Sequence, residues 1–178
     1  TVIVPKYRAM YLDAALKNNQ LLSIEKNKEF KGMVRNMKTI EDSDYEVPEA
    51  LNSIMRSYQK NGFLWLKTLR ENGFGGILAD DMGLGKTVQA IALLLSELEN
   101  ATRPSIIVAP TSLIYNWRAE LDKFAPDISY RLIVGSAAER QALLASPAPG
   151  ELLITSYDAL KRDIDYYSEL EFEYCIAD

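Results

Sequence analysis

The sequence predicts a doubly wound α/β domain with a parallel sheet, preceded by a small mixed and helical segment. Two observations carry this. Short runs such as "SIIVAP", "YRLIV" and "ELLITS" have continuous apolar cores instead of alternating, as strands covered on both faces require. Between them lie stretches with helical periodicity, and strands alternating with helices build a sheet with helices on both sides.

Residues 1–47 are mixed and charge-rich and read as an accessory segment with a linker. Met10, Ala14 and Leu16 predict a helix through "YRAMYLDAALKNN", and Phe30, Val34 and Met37 recur at helical spacing. The acidic "EDSDYEVP" closes this segment, and Pro48 suits a helix start. Residues 48–178 carry the main domain. "PEALNSIMRSYQKNGFLWLKTLREN" predicts two helices, stopped by Asn72-Gly73. "GGILAD" is expected as a strand, "KTVQAIALLLSELEN" as a helix and "SIIVAP" as a strand. In the helix "TSLIYNWRAELDKF", Leu113, Trp117, Leu121 and Phe124 share one face, which makes Trp117 and Leu121 core residues. The strand "YRLIV", the helix "SAAERQALLAS", the strand "ELLITS", a short helix "YDALKRD" and a last strand "EYCIAD" complete the chain.

Composition narrows the chemistry. The chain of 178 residues is 48% hydrophobic, enough for a sizeable core. Its net charge of -5 argues against coating nucleic acid by bulk charge, though backbone N–H groups and helix N-termini still hold phosphates locally. With no histidine and one cysteine, a Ser–His triad, a His-ligated metal and Cys–Cys zinc patterns are excluded. An internal disulfide is impossible, and Cys175, in an apolar strand, is expected to be a buried small hydrophobe. No apolar run approaches the ~20 residues that span a bilayer, so no membrane partner is expected and the protein should be soluble and intracellular.

The turn "DDMGLGKT" has the chemistry of a phosphate cradle. Gly83 and Gly85 let the backbone aim several N–H groups at one anion, and the helix beginning near Lys86 adds its positive dipole end. Lys86 supplies a cation to the β- and γ-phosphates and Thr87 a hydroxyl to Mg²⁺. The pattern G-x-x-x-x-G-K-[ST] fails at its first position, where Asp80 stands. The plain alternative is a Gly-rich surface turn with an incidental lysine, but strand, glycines, Lys-Thr and apolar helix all agree on the cradle. No Asn-Lys-x-Asp guanine reader follows, and some 80 residues precede the loop, so a GTPase and a small-molecule kinase are weaker alternatives.

"DDMGLGKT", "IIVAPTSLIYNWRAELDKF", "LLITSYDALKRD" and "CIAD" occur in the order and spacing of helicase-like motifs I, Ia, Ib and the start of II. They resemble the Swi/Snf family of DNA-translocating ATPases, in which Asp is common where Asp80 stands. "IMRSYQKNGFLWL" resembles the family's glutamine motif, with Ser57 in place of its usual proline. The resemblance covers about residues 47–178, and the N-terminal segment resembles the one preceding the motor in bacterial members. It implies the first RecA-like lobe of an ATP-driven motor, acting on double-stranded DNA with a second RecA-like lobe, in the cytoplasm at the nucleoid. It also implies ATP and Mg²⁺ as ligands. Asp81, Met82, Gly83, Leu84, Gly85, Lys86 and Thr87 would wrap the phosphates, and Asp178 with Thr87 would serve the metal.

The same resemblance makes Gln59 an adenine reader, since an amide offers a donor and an acceptor together; otherwise Gln59 is a solvated helix residue. Pro110, Thr111 and Ser112 of motif Ia, and Thr155, Ser156 and Tyr157 of motif Ib, fall at strand-to-helix turns. There a hydroxyl caps a helix or touches a DNA phosphate. Lys123, Arg118, Lys161 and Arg162 nearby favour DNA. A rival reading is an ATP-gated switch without DNA coupling, supported by the acidic pI of about 4.9. In the family the residue after Asp178 is a water-orienting glutamate and the second lobe supplies arginines, so a half-motor is expected here. By itself it should bind Mg-nucleotide weakly and turn over almost nothing. Robust ATPase activity of the purified chain, abolished by Lys86→Ala, would overturn that expectation.

Overall fold

The computed structural model describes residues 45–178 and, upstream, residues 8, 11–13, 15, 27, 28, 30–32 and 34. Of the accessory segment, residues 11–13 and 15, and 28, 30–32 and 34, are helical, and Val34 is buried. Met10, Ala14, Leu16 and Met37, and the acidic run up to Asp44, lie outside the described residues.

The main domain opens with a short helix α1 (Glu49–Asn52) behind Pro48, then α2 (Ser57–Glu71). At the expected stop, Gly73 takes φ 69°, its N–H donates to the Arg70 carbonyl at 2.9 Å, and the Phe74 N–H donates to Leu69. This pairing satisfies the last carbonyls of α2, and only a residue tolerating positive φ completes it. α3 (Lys86–Glu97) follows, then β1 (Ser105–Ala109), a 3₁₀ turn at Thr111–Leu113, α4 (Ile114–Phe124) and β2 (Tyr130–Leu132). α5 (Ala137–Leu144) starts at a capping box in which the Ser136 hydroxyl accepts from the Glu139 N–H. β3 (Leu152–Ser156), α6 (Tyr157–Arg162), α7 (Ile164–Ser168) and β4 (Cys175–Ala177) complete it. Among the described residues no helix is long and apolar enough to cross a membrane.

The four strands are parallel, in the order β2-β3-β1-β4. Alternation along each strand divides the core in two. Ile107, Ala109, Leu152 and Ile154 face a cluster with Leu51, Phe63, Ile91, Ile114, Trp117 and Leu121 from α1 to α4. Ile106, Val108 and Leu153 face Leu144 and Tyr167, from α5 and α7. Helices thus cover both faces, the doubly wound arrangement that the continuous apolar strands predict.

Two elements differ from expectation. The run Gly75–Asp80 is not a strand. It passes over α2 instead of along the sheet, so close that a Cβ on Gly76 would meet Leu69 at 2.4 Å and Trp65 at 2.7 Å. A strand exists only by the ladder it joins, and this run has no partner among the described residues; Ile77 is left 86% exposed. Cys175, expected to be buried, is exposed because β4 is an edge strand whose neighbourhood carries little cover.

Charged groups tie the helices together. Arg70 of α2 pairs with Glu173 at 2.6 Å and donates to the Tyr174 hydroxyl, Lys67 pairs with Glu97 of α3, and burial pushes the Tyr174 phenol up to about 12. On the other face the buried Arg140 grips Asp163 through Nε at 2.5 Å and a second nitrogen at 3.0 Å, while donating to the Gly135 carbonyl. The guanidinium bond holds the Asp163 carboxyl below its ordinary range. A carboxyl whose folded pKa is depressed stabilises the fold fully above its unfolded value near 4, and the stabilisation disappears as pH falls through the lower folded value. Asp163→Asn should therefore lower the melting temperature at neutral pH. It should also flatten the acid limb of the stability profile below about pH 4, as thermal melts across pH will show.

Candidate functional site

Gly85, at φ 78°, is the N-cap of α3, and no side chain caps this helix. Its first-turn N–H groups, which have no intrahelical partner, are therefore left to the loop, a local positive pole. Gly83 adopts φ 81° and has open space around it, while Leu84 donates back to the Asp81 carbonyl. Lys86 curls over the turn it follows. Its ammonium donates to the carbonyls of Asp80 at 2.8 Å and Asp81 at 3.1 Å. Asp81 and Met82 are exposed and Thr87 half-buried. Lys86 thus reaches back over the motif I turn, although the strand expected before that turn is not formed.

α2 docks its N-terminus on this loop. Gln59 is buried, not solvated: its Oε1 accepts from the Arg56 N–H, and its Nε2 donates to the Leu84 carbonyl at 2.9 Å. Tyr58 donates to the same carbonyl at 3.1 Å. A Cβ on Gly85 would lie 2.4 Å from Gln59 Nε2, a side-chain tip that can give way, so it is the positive φ that calls for glycine there. The Gln59 amide therefore braces the loop, with both ends engaged inside the protein.

Gln89 escapes a reading of the sequence. It is fully buried at the crossing of α2 and α3, and its Nε2 donates to the Asp80 carboxylate at 2.8 Å. The only available signal is a polar residue on the buried stripe of α3, beside Val88, Ile91 and Ala92. Gly62 makes room for it, since a Cβ there would sit 1.8 Å from Gln89 Oε1.

The parallel register brings the other expected residues to one sheet edge. Ala109 pairs with Ser156 and Val108 with Ala177, so Pro110, Tyr157 and Asp178 leave the sheet at the same carboxyl end, where α/β sheets place ligands. Pro110, Thr111 and Ser112 are exposed, and neither hydroxyl caps α4. Motif Ib is divided. Thr155, expected at a DNA phosphate, is fully buried, because alternation along β3 turns it with Leu153 into the face beneath α5 to α7. The Ser156 hydroxyl caps α6 by accepting from the Ala159 N–H, and Tyr157 alone is exposed.

Asp178 is exposed, and its N–H donates to the Val108 carbonyl. Trp117 is buried, as a core residue should be, but it does more than pack: its indole N–H donates to Asp178 Oδ2 at 2.8 Å. Tyr157 donates to the Asp178 carbonyl at 2.8 Å. No hydrogen bond or ion pair joins Lys86 to Asp178.

An uncapped helix N-terminus behind a Gly-Lys-Thr turn, beside a doubly wound parallel sheet, defines the P-loop class of nucleotide-binding fold. Comparison with known proteins gives the family. The SNF2-related domain matches residues 58–178, and the chain belongs to that family; residues 1–48 match the domain described as bacterial SNF2 helicase associated. The chain is 38% identical over 149 residues to the chromatin-remodeling ATPase INO80 of Sclerotinia sclerotiorum, a match spanning 77% of this chain and 9% of that protein. It is 41% identical over 152 residues to an uncharacterized ATP-dependent helicase of Mycoplasma pneumoniae, covering 82% of this chain and 15% of that one. It therefore spans only a small part of the length of these relatives. The SWI2/SNF2 ATPase core of Sulfolobus solfataricus, solved in complex with dsDNA, matches with a TM-score of 0.60 and 30% identity, over 75% of this chain and 34% of that one.

The tight helix crossing is open to test. Gly62→Ala should lower stability by about 1–3 kcal/mol through overpacking, despite alanine's better helix propensity. Thermal melting of the variant checks this, and a melting temperature equal to wild type would show that α2 and α3 part freely.

Proposed function

We propose that this chain is the ATP-binding lobe of a SNF2-type ATPase that couples hydrolysis to translocation on double-stranded DNA, remodelling protein–DNA complexes. The observation that carries the reading is the loop itself. Lys86 and the uncapped first turn of α3 point into one glycine-built turn, braced from behind by Gln59 and Tyr58. The similarity to a chromatin-remodeling ATPase and to an ATP-dependent helicase supports the coupling, as does the dsDNA in the matched Sulfolobus structure.

In this reading Lys86 exchanges its two neutral carbonyl partners for β- and γ-phosphate oxygens, which are stronger acceptors. The first-turn N–H groups of α3 take the remaining oxygens. Thr87 and Asp178 are the oxygen donors that fit Mg²⁺, a hard cation, and Trp117 orients the carboxylate. Held by Thr87 and, through water, by Asp178, Mg²⁺ would supply charge neutralisation at the phosphates during in-line attack by water. Gln59 reads adenine by giving up its bond to the Leu84 carbonyl, which leaves Tyr58 as the remaining brace on that carbonyl. A second RecA-like lobe completes the transition-state contacts. Pro110, Thr111, Ser112 and Tyr157 lie on the DNA side, whereas Thr155 and Ser156 support that surface from within.

The test is the ATPase rate of the full protein with and without double-stranded DNA at fixed low salt. Duplex should stimulate strongly, and Lys86→Ala should lower the stimulated rate by about a hundredfold or more. A rate indifferent to DNA would leave an ATP-gated switch as the reading. Asp178→Asn, which keeps an acceptor oxygen for the Trp117 indole N–H and removes the charge, should reduce the rate with little change in melting temperature.

A further inference from the structure

We infer that Gln89 is a positioning residue for the nucleotide phosphates, which holds the Asp80 carboxylate away from Lys86. The inference rests on reading the loop as an ATP site. It starts from an amide that is poorly housed. Gln89 is fully buried; its Nε2 reaches Asp80 Oδ2 at 2.8 Å and the Gly85 carbonyl at 3.3 Å, but its Oε1 has no hydrogen-bond partner among the described residues. Oε1 instead fills the space left by the missing side chain of Gly62. A buried acceptor without a partner is costly, and a leucine would fill the same slot without that cost. Packing alone therefore gives no reason for an amide here, whereas its donor end has a specific partner. The carboxylate also fixes the orientation of the amide, since the opposite flip would set oxygen against oxygen.

The need for that partner is electrostatic. Asp80 begins the turn, and the Lys86 ammonium already lies 2.8 Å from its backbone carbonyl. A carboxylate on the same residue, released from Gln89, would come within reach of that ammonium and form an ion pair. A lysine paired with a carboxylate is a poor phosphate ligand, and a free carboxylate beside the cradle repels the polyphosphate directly. Gln89 prevents both by anchoring the charge on the α3 side. Lys86 then meets only neutral carbonyls, which phosphate oxygens readily displace. The acidic residue at the first loop position is thereby made compatible with binding an anion.

The test compares wild type, Lys86→Ala, Gln89→Leu and the double variant Gln89→Leu/Asp80→Asn in the full protein, measuring Mg-ATP and Mg-ADP dissociation constants and melting temperature. Gln89→Leu should weaken both nucleotides by about tenfold, and adding Asp80→Asn should restore most of the loss, because it removes the charge that was released. A purely packing role for Gln89 predicts no such rescue. Gln89→Met, unbranched and adaptable, replaces the leucine variant if that one fails to fold. If wild type binds Mg-ATP, Lys86→Ala loses it, and the Gln89 variant either binds like wild type or is not rescued, this inference alone falls. If wild type binds no Mg-ATP, the ATP reading falls and takes this inference with it.

Discussion

The parallel ladder centred on β1 is the constraint from which the candidate site follows. Ile107 is paired on both sides, with Ile154 of β3 and Ile176 of β4, and is covered on the face of α1 to α4. Because all strands run the same way, their carboxyl ends share one edge, and motifs far apart in sequence emerge side by side. An antiparallel exchange of any one strand would send its terminal residue to the opposite side of the domain. The apolar strands thus do more than fill the interior, since their direction determines which polar residues can meet.

Close helix approach is the second device. Gly62 and Gly85 are both places where a side chain would collide with a glutamine, Gln89 in the first case and Gln59 in the second. These two amides cross-brace the loop, one holding its Leu84 carbonyl and the other its Asp80 carboxylate. A flexible glycine turn is then held at both ends by side chains drawn from neighbouring helices. Pre-organisation of this kind leaves less conformational entropy to be lost when an anion is bound.

Much of this was legible in the sequence, and the failures have physical causes. The helices, the four paired strands, the cradle and the Asn72-Gly73 stop follow from periodicity and from φ preferences local to a few residues. The run Gly75–Asp80 reads as a strand by composition, but composition does not say whether a ladder partner is available, and here the chain crosses α2 instead. Thr155 looked like a surface hydroxyl because the turn was legible while the face of β3 was not; one position further on, Ser156 is spent on a cap. Cys175 shows the converse, since an apolar strand at a sheet edge has fewer neighbours to cover it. Gln89 and Trp117 belonged, by spacing, to buried helix faces, and both lie there. What spacing leaves out is the polar atom at the tip of each, which finds a carboxylate, Asp80 in the preceding loop for Gln89 and Asp178 across the fold for Trp117.

The indole bond from Trp117 to Asp178 has an optical consequence. The chain contains two tryptophans, and Trp117 is a buried fluorophore with a carboxylate on its ring nitrogen. Indole emission is sensitive to a charge held at that nitrogen. Any event that reorients or neutralises the Asp178 carboxylate would register in the protein's intrinsic emission, with Trp65 as the second contributor. The fold has, in effect, wired its own dye to the end of β4.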